Sequence, residues 1–185
     1  MRIVGGRHKG QALAPIAGRA IRPTSDKTRE AIFDILTHGK SAKTIEGARV
    51  LDLFAGSGAL GLEALSRGAR FCLFVDRDPR SRGLIRRNIE LLQQTGTTRL
   101  WRRDATRLGA GSMAAFDIVF VDPPYGRGLG VAALASLIDG QWLAPDAAIM
   151  VEEHKTATLT PPPELVINKR RLYGDTQLLF LKPTA

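Results

Sequence analysis

Residues 49–61 read Arg49-Val50-Leu51-Asp52-Leu53-Phe54-Ala55-Gly56-Ser57-Gly58-Ala59-Leu60-Gly61, and this stretch decides the fold. Its apolar first part predicts a buried strand over Arg49–Phe54, and its glycines predict a tight turn into a helix. The segment Gly56–Gly61 matches the pattern G-x-G-x-x-G between a strand and a helix. Asp76 follows the next predicted strand, at the spacing where an acid meets ribose hydroxyls in nucleotide-binding α/β folds. These features predict an α/β protein.

The rest of the chain continues this alternation of strands and helices. Helices are predicted over Ala59–Arg67, from Pro79 onward and over Val131–Ile138. Further strands are predicted over Arg70–Val75, Thr98–Arg102, Ile118–Val121, Ala147–Glu152, Leu165–Leu172 and Gln177–Leu181, the last two as a hairpin. We therefore expect a mostly parallel seven-stranded sheet with helices on both faces and a C-terminal antiparallel hairpin.

The N-terminal 44 residues have a different pattern. Short strand-like runs around Gly5-Gly6 and Lys9-Gly10 predict a small β-hairpin, and a helix follows with Ser25 as its N-cap. We predict a division into a basic N-terminal extension, residues 1–44, and a main domain, residues 45–185.

The charge of the chain predicts a polyanionic partner. The formal net charge is +9 and the isoelectric point is about 10.4. Residues 1–40 hold eight Lys or Arg against three acids, and no acid precedes Asp26. A basic extension of this kind favours contacts with RNA phosphates, although scattered basic residues also simply solubilise a surface. The candidate RNA-binding residues are Arg7, Lys9, Arg22, Lys27 and Arg29.

Several classes of protein are disfavoured by the composition. Cys72 is the only cysteine, so an internal disulfide and a thiolate metal cage are excluded. The three histidines are scattered without the spacing of metal ligands, and we expect no metal. No apolar run approaches the roughly 20 residues of a membrane span. We expect a cytoplasmic protein.

The acids around the glycine loop indicate which cofactor it binds. A dinucleotide would place its pyrophosphate near Asp52, which would repel it, whereas the ammonium and sulfonium of S-adenosylmethionine suit a carboxylate. Asp76 is then a candidate ribose ligand, or a solvated acid at a strand end. Asp104, followed by Ala105, could accept the adenine amino group or serve as a helix N-cap. In this interpretation Arg77 is solvated or lies beside the adenosine, whereas in an NADP-binding protein it would meet the 2′-phosphate.

A second motif, Asp122-Pro123-Pro124-Tyr125, follows the predicted strand Ile118–Val121. Proline removes backbone donors and fixes the chain, so this corner presents acceptors. Asp122 and the Pro123 carbonyl could hold the two hydrogens of an exocyclic amino group, while Tyr125 stacks on the base. The same residues are also compatible with an ordinary turn.

Taken together, these motifs resemble class I S-adenosylmethionine-dependent methyltransferases that modify exocyclic amino groups. The chain looks more narrowly like the bacterial 16S ribosomal RNA guanine-N2 methyltransferases of the RsmD type. That closer resemblance rests on Met1–Gly6 with Lys9-Gly10, on Arg22-Pro23-Thr24 with Arg29–Phe33, and on Tyr173-Gly174-Asp175-Thr176.

The resemblance implies a Rossmann-like methyltransferase fold, S-adenosylmethionine as cofactor, and 16S ribosomal RNA in a small-subunit assembly particle as partner. Nothing in the sequence requires a dimer, and we expect a monomer. The cofactor residues that it implies are Asp52, Phe54, Ala55, Gly56, Ser57, Gly58, Asp76, Arg77, Asp104 and Ala105. The catalytic residues that it implies are Asp122, Pro123, Pro124 and Tyr125. Three alternatives stay open: an N6-adenine methyltransferase acting on DNA or RNA, an NADP-dependent oxidoreductase, and a non-catalytic RNA-binding factor.

Overall fold

The computed structural model describes residues 1–15, 25–38 and 43–184. Within these residues, seven strands form one sheet in the order β3-β2-β1-β4-β5-β7-β6. Strands β1 to β5 are parallel, and β7 runs antiparallel to both β5 and β6. The strands are β1 (Arg49–Leu53), β2 (Phe71–Val75), β3 (Thr98–Trp101), β4 (Phe116–Val121), β5 (Leu143–His154), β6 (Leu165–Tyr173) and β7 (Thr176–Pro183). The predicted fold class is confirmed.

The described residues form four α-helices, two of which begin with a side-chain N-cap. The helices are α1 (Asp26–Thr37), α2 (Ala59–Ser66), α3 (Pro79–Leu91) and α4 (Leu129–Asp139). The hydroxyl of Ser25 accepts a hydrogen bond from the Thr28 backbone N–H at 3.1 Å, so the predicted N-cap is confirmed. Asp78 caps α3 in the same way through Ser81, directly before Pro79 in the first turn. These helices are not long and apolar enough to cross a membrane.

The helices cover both faces of the sheet. On one face, apolar residues of α1, α2 and α3 pack with sheet residues such as Phe74 and Phe120. On the other face, Leu134 and Leu137 of α4 pack with Val119 and Trp142. The lone thiol of Cys72 is fully buried in the first of these cores. Strands buried on both faces explain the nearly continuous apolar runs of β1, β2 and β4.

The N-terminal segment folds back on itself more loosely than a regular hairpin. Ile3 donates its N–H to the Gln11 carbonyl at 3.0 Å, but the pairing amounts to a single bridge between Arg2 and Ala12. Gly6 has φ +72°, and a Cβ added there would lie 1.9 Å from the Ser66 carbonyl oxygen. Glycine at position 6 thus lets the N-terminal segment lie close against the end of α2, and Ile3 of this segment belongs to the hydrophobic core. The division of the chain at residue 44 stays a prediction.

Candidate functional site

The carboxyl ends of β1, β2 and β4 open into a cavity of about 1000 Å³. The strand order reverses between β1 and β4, which is where open α/β sheets bind ligands. Nearly all the predicted cofactor and catalytic residues line this cavity: Asp52, Phe54, Ala55, Gly56, Ser57, Asp76, Arg77, Ala105, Asp122, Pro123, Pro124 and Tyr125. Gly58 and Asp104 lie outside the lining. The two motifs, far apart in the chain, thus form one site.

The glycine loop has the backbone geometry that its sequence requires. Gly56 and Gly58 have φ values of 57° and 76°, in the left-handed region that favours glycine. Phe54 has φ 55° as well, and it ends β1 one residue earlier than predicted. The buried amide of Asn88 donates to the Ser57 carbonyl at 2.9 Å and accepts from the Ala14 N–H at 2.7 Å. Asn88 therefore ties the loop to the N-terminal segment, a role that helix periodicity could not indicate.

Asp52 is a buried acid beneath this loop. Its side chain is almost fully enclosed, and its Oδ2 accepts the N–H of Gly61 at 2.9 Å. Burial raises the pKa of Asp52 to about 8, against the lowering effect of the Gly61 hydrogen bond, and nearby Asp76 raises it further. A cation placed in the cavity would favour the carboxylate, whereas a phosphate would oppose it.

Asp76 lies at the end of β2 and fastens the loop. Its Oδ2 accepts from the Gly56 N–H at 2.9 Å, and its Oδ1 accepts from the Asp78 N–H at 2.8 Å. Burial raises the pKa of Asp76, and these two hydrogen bonds oppose the shift. Each carboxylate oxygen keeps capacity for a second donor, such as a ribose hydroxyl.

Asp104 caps a turn. Its Oδ1 accepts from the Thr106 N–H at 2.9 Å and from the Thr106 hydroxyl at 2.7 Å, and these bonds lower its pKa. Arg77 lies on the surface with its Nη1 3.6 Å from Asp104 Oδ2. No helix follows Asp104 among the described residues, so the alternative of a helix N-cap is wrong.

The corner at Asp122–Tyr125 sits beside a buried carboxylate that the sequence did not single out. Tyr125 donates its hydroxyl to Glu152 Oε1 at 2.6 Å and lies 3.0 Å from the Thr176 hydroxyl. Burial, followed by the hydrogen bond to Glu152, raises the pKa of Tyr125, which keeps the phenol neutral. Glu152 lines the cavity together with Asp122. It reaches this position because β5 lies next to β4, which only the sheet order determines.

The predicted RNA-binding residues fall into different environments. Lys9 and Lys27 are exposed, and Lys27 also lines the cavity. One guanidinium nitrogen of Arg7 bonds the Leu65 carbonyl at 3.3 Å, so this side chain partly holds the N-terminal segment in place. Arg22 lies outside the described residues.

Arg29 requires a correction. Its side chain is fully buried, with Asp26 at 2.7 Å and the Arg2 carbonyl as partners, so it offers no surface to a phosphate. Arg29 lies one turn before the buried residues Ile32 and Phe33, on the inward side of α1, and its long side chain reaches from α1 to the N-terminal segment.

Comparisons with known proteins agree with this geometry. The family model described as Conserved hypothetical protein 95 matches residues 1–182. The chain is 37% identical over 176 residues to ribosomal RNA small subunit methyltransferase D of Escherichia coli, covering 95% of this chain and 86% of that protein. It is 32% identical over 183 residues to the protein of the same name from Haemophilus influenzae, covering 94% and 89%.

A solved structure gives the same result. The Escherichia coli protein yhhF, named as a candidate methyltransferase, superposes with a TM-score of 0.84 at 32% identity, covering 99% of this chain and 97% of that one. Family model, sequence relatives and structure thus agree over nearly the whole length, and the chain belongs to the family of Conserved hypothetical protein 95, the RsmD-type class I methyltransferases.

Proposed function

We propose that this protein transfers a methyl group from S-adenosylmethionine to the exocyclic N2 amino group of a guanine in 16S ribosomal RNA. Its family and the names of its relatives support methyl transfer to ribosomal RNA. The net charge of +9 suits a nucleic-acid substrate. The observation that carries the proposal is the pair of carboxylates, Asp122 and Glu152, in the cavity that also contains the glycine loop.

The two carboxylates favour guanine over adenine. Guanine presents two neighbouring donors on its Watson–Crick edge, the N1–H and the N2 amino group, whereas adenine has an acceptor at N1. We infer that Asp122 accepts from the amino group and Glu152 from N1–H, while Glu152 keeps its bond to Tyr125. Adenine would leave a buried carboxylate facing the lone pair of its N1, which costs free energy.

The residues that line the cavity fit S-adenosylmethionine. Asp52 and Asp76 place two carboxyl groups at the loop end, where a cationic ligand is favoured and a pyrophosphate is not. Asp52 would face the methionine ammonium and Asp76 the ribose. When bound, S-adenosylmethionine supplies an electrophilic methyl group. The oxidoreductase alternative does not account for these acids or for the Asp122–Tyr125 corner.

The Asp122–Tyr125 corner would orient the acceptor nitrogen and make it a better nucleophile. The lone pair of the amino group is delocalised into the purine ring, so the nitrogen is a poor nucleophile. Hydrogen bonds to Asp122 and the Pro123 carbonyl would localise that lone pair and align the nitrogen. Asp122 would stabilise the positive charge that develops on nitrogen as the new N–C bond forms and the bond between the methyl carbon and sulfur breaks, which leaves neutral S-adenosylhomocysteine. One amino proton would then pass to solvent. Tyr125, fixed through its hydroxyl, would stack on a base turned out of its RNA stack.

The test is transfer of a tritiated methyl group from S-adenosylmethionine into 30S particles that lack the modification, followed by nucleoside analysis. We expect the label in N2-methylguanosine. Label in N6-methyladenosine would contradict the choice of base and keep the chemistry. Absence of label despite measured cofactor binding would favour the non-catalytic alternative or another acceptor.

A further inference from the structure

We propose that RNA flanking the target base binds along one face of β6, defined by Lys169, Arg171 and Tyr173 and called the β6 basic face. This inference rests on the proposed function and deepens it, because it assigns RNA contacts to the C-terminal hairpin in addition to the N-terminal segment. The chemical partner is the phosphate backbone of a single strand next to the methylated base.

Strand alternation places these three side chains on one face of β6, and a β-bulge before Lys169 decides which face it is. Ile167 pairs with Leu181, but the register then shifts, and Lys169 pairs with Phe180. Directly paired residues of antiparallel strands share a face. Ile167 and Leu181 belong to the core under α4, whereas Phe180 belongs to the core under α1, α2 and α3. Without the bulge, Lys169 would lie on the same face as Ile167. With the bulge, Lys169 and every second residue after it lie on the opposite face, and bulges often redirect side chains in this way near functional sites.

The register beyond the bulge leads to the cavity. Arg171 pairs with Leu178 and Tyr173 with Thr176, so both share the face of Lys169. Tyr173 and Thr176 line the cavity, as does Lys27 at the start of α1. The β6 basic face is thus continuous with the mouth of the site.

The chemistry of this face suits a single-stranded nucleic acid. Residues 165–173 hold three basic side chains and no acid. Asp175 at the hairpin tip is paired with Lys155 at 2.6 Å, while no ion pair involves Lys169 or Arg171 within the described part of the chain. Tyr173 is 37% exposed, which leaves its ring available to stack on a base. Phosphate contacts and an aromatic platform are the two elements of single-strand recognition.

A second explanation exists for basic residues on an edge strand, and it makes a different prediction. Lysine and arginine on an exposed edge prevent sheets from pairing with one another. Edge protection requires charged side chains on the strand, but it does not depend on which face of β6 carries them. Arg170 provides the comparison, because it pairs with Leu179 and so lies on the opposite face from its neighbour Arg171.

The experiment compares Arg171→Gln with Arg170→Gln, two exposed positions that lose the same charge. The substrate is the 30S particle that lacks the modification, and its KM is measured at about 50 and 200 mM KCl. We expect Arg171→Gln to raise KM about 3- to 10-fold and to reduce the salt slope by about 1, with kcat unchanged. Tyr173→Ala should raise KM about tenfold. Arg170→Gln should behave like the wild type.

Equal effects of the two arginine variants would overturn the proposal in favour of edge protection. Co-sedimentation with the same particles measures binding by each variant directly, so the two arginine variants can be compared even without methyl transfer. Loss of binding by Arg171→Gln alone, without any methyl transfer by the wild type, would support the β6 basic face and contradict the proposed reaction. Methyl transfer with equal salt slopes in all proteins would support the reaction and contradict the β6 basic face.

Discussion

Asp122 and Glu152 show what a single residue contributes to this site. Asp122 directly follows β4, so its position could be predicted from the chain: an apolar run and then an acid place a carboxylate at the end of a parallel strand. Glu152 lies within β5 and enters the cavity only because β5 is the neighbour of β4. A residue whose role depends on which strands are adjacent has no signature in its own sequence surroundings, which is also true of Asn88.

Asp122→Asn should lower kcat for methyl transfer by roughly 10² to 10³, because the neutral amide no longer stabilises the cation that forms at the acceptor nitrogen. Affinity for S-adenosylmethionine, measured by calorimetry, should change little. Asp139→Asn is the matched control, an exposed acid at the end of α4 whose replacement should leave kcat at the wild-type value. A kcat of Asp122→Asn equal to that of the control would refute the role of Asp122.

Glu152→Gln should change the choice of base. The glutamine carbonyl still accepts from Tyr125, but its amide N–H replaces an acceptor with a donor, which suits N1 of adenine and not N1–H of guanine. We expect kcat/KM for guanine to fall roughly 10- to 100-fold, with the ratio of N6-methyladenosine to N2-methylguanosine rising in the nucleoside analysis. Glu153→Gln is the control, since Glu153 is equally buried and accepts from the His154 N–H at 2.9 Å. An unchanged ratio in Glu152→Gln would mean that Glu152 only positions Tyr125.

At the scale of elements, the close contact between α2 and β2 positions the glycine loop. Gly61 lies in the first turn of α2, where an added Cβ would stand 2.4 Å from Phe74 Cε1 and 2.5 Å from Cys72 Sγ. Glycine is therefore required for the helix to approach the sheet, as the third glycine of the sequence pattern predicts. Gly83 in α3 has open space around its Cβ position.

Gly61→Ala should lower the free energy of unfolding by about 1–3 kcal/mol, because the extra methyl group forces the helix away from β2. Gly83→Ala should raise it by about 0.5–1 kcal/mol, since alanine is the better residue in a helix interior. Urea unfolding measures both. A Gly61→Ala protein as stable as Gly83→Ala would show that the contact between α2 and β2 relaxes without cost.

The boundaries of the elements were predicted less well than their order, for physical reasons. β5 was expected over Ala147–Glu152 but extends over Leu143–His154, since Pro145 and Asp146 fall where the pairing with β4 is irregular. Propensity disfavours these residues in a strand. Contacts with neighbouring strands compensate for this low strand propensity, and such tertiary contacts cannot be predicted from the local sequence. The position of the hairpin formed by β6 and β7 was predicted correctly. The bulge that decides which face Lys169 lies on has no signature in the local sequence.

For the molecule as a whole, the buried acid Asp52 links stability to pH. Its pKa is about 8 in the folded protein, against about 3.9 in an unfolded chain. Between these values the folded state binds a proton that the unfolded state releases. The contribution of Asp52 to the free energy of unfolding is therefore largest below about pH 4, decreases as pH rises, and becomes constant above about pH 8.

Comparison with Asp52→Asn isolates this contribution, because the other titrating groups are common to both proteins. We expect the wild type to lose stability relative to Asp52→Asn by up to about 1.4 kcal/mol per pH unit between about pH 5 and pH 8. Urea unfolding at four pH values measures the difference. Parallel curves would show that Asp52 does not hold a proton in the folded state.

The two tryptophans make the molecule its own optical probe. Trp142 is 1% exposed, and the ring of Trp101 meets it edge-on at a centroid distance of 5.8 Å. The guanidinium of Arg103 lies 4.7 Å from the centre of the Trp101 ring, and Arg103 also lines the cavity. Emission from Trp142 should shift to longer wavelength on unfolding. A ligand that displaces Arg103 should change the intensity from Trp101, so occupation of the cavity and loss of the fold can be followed in one unlabelled sample.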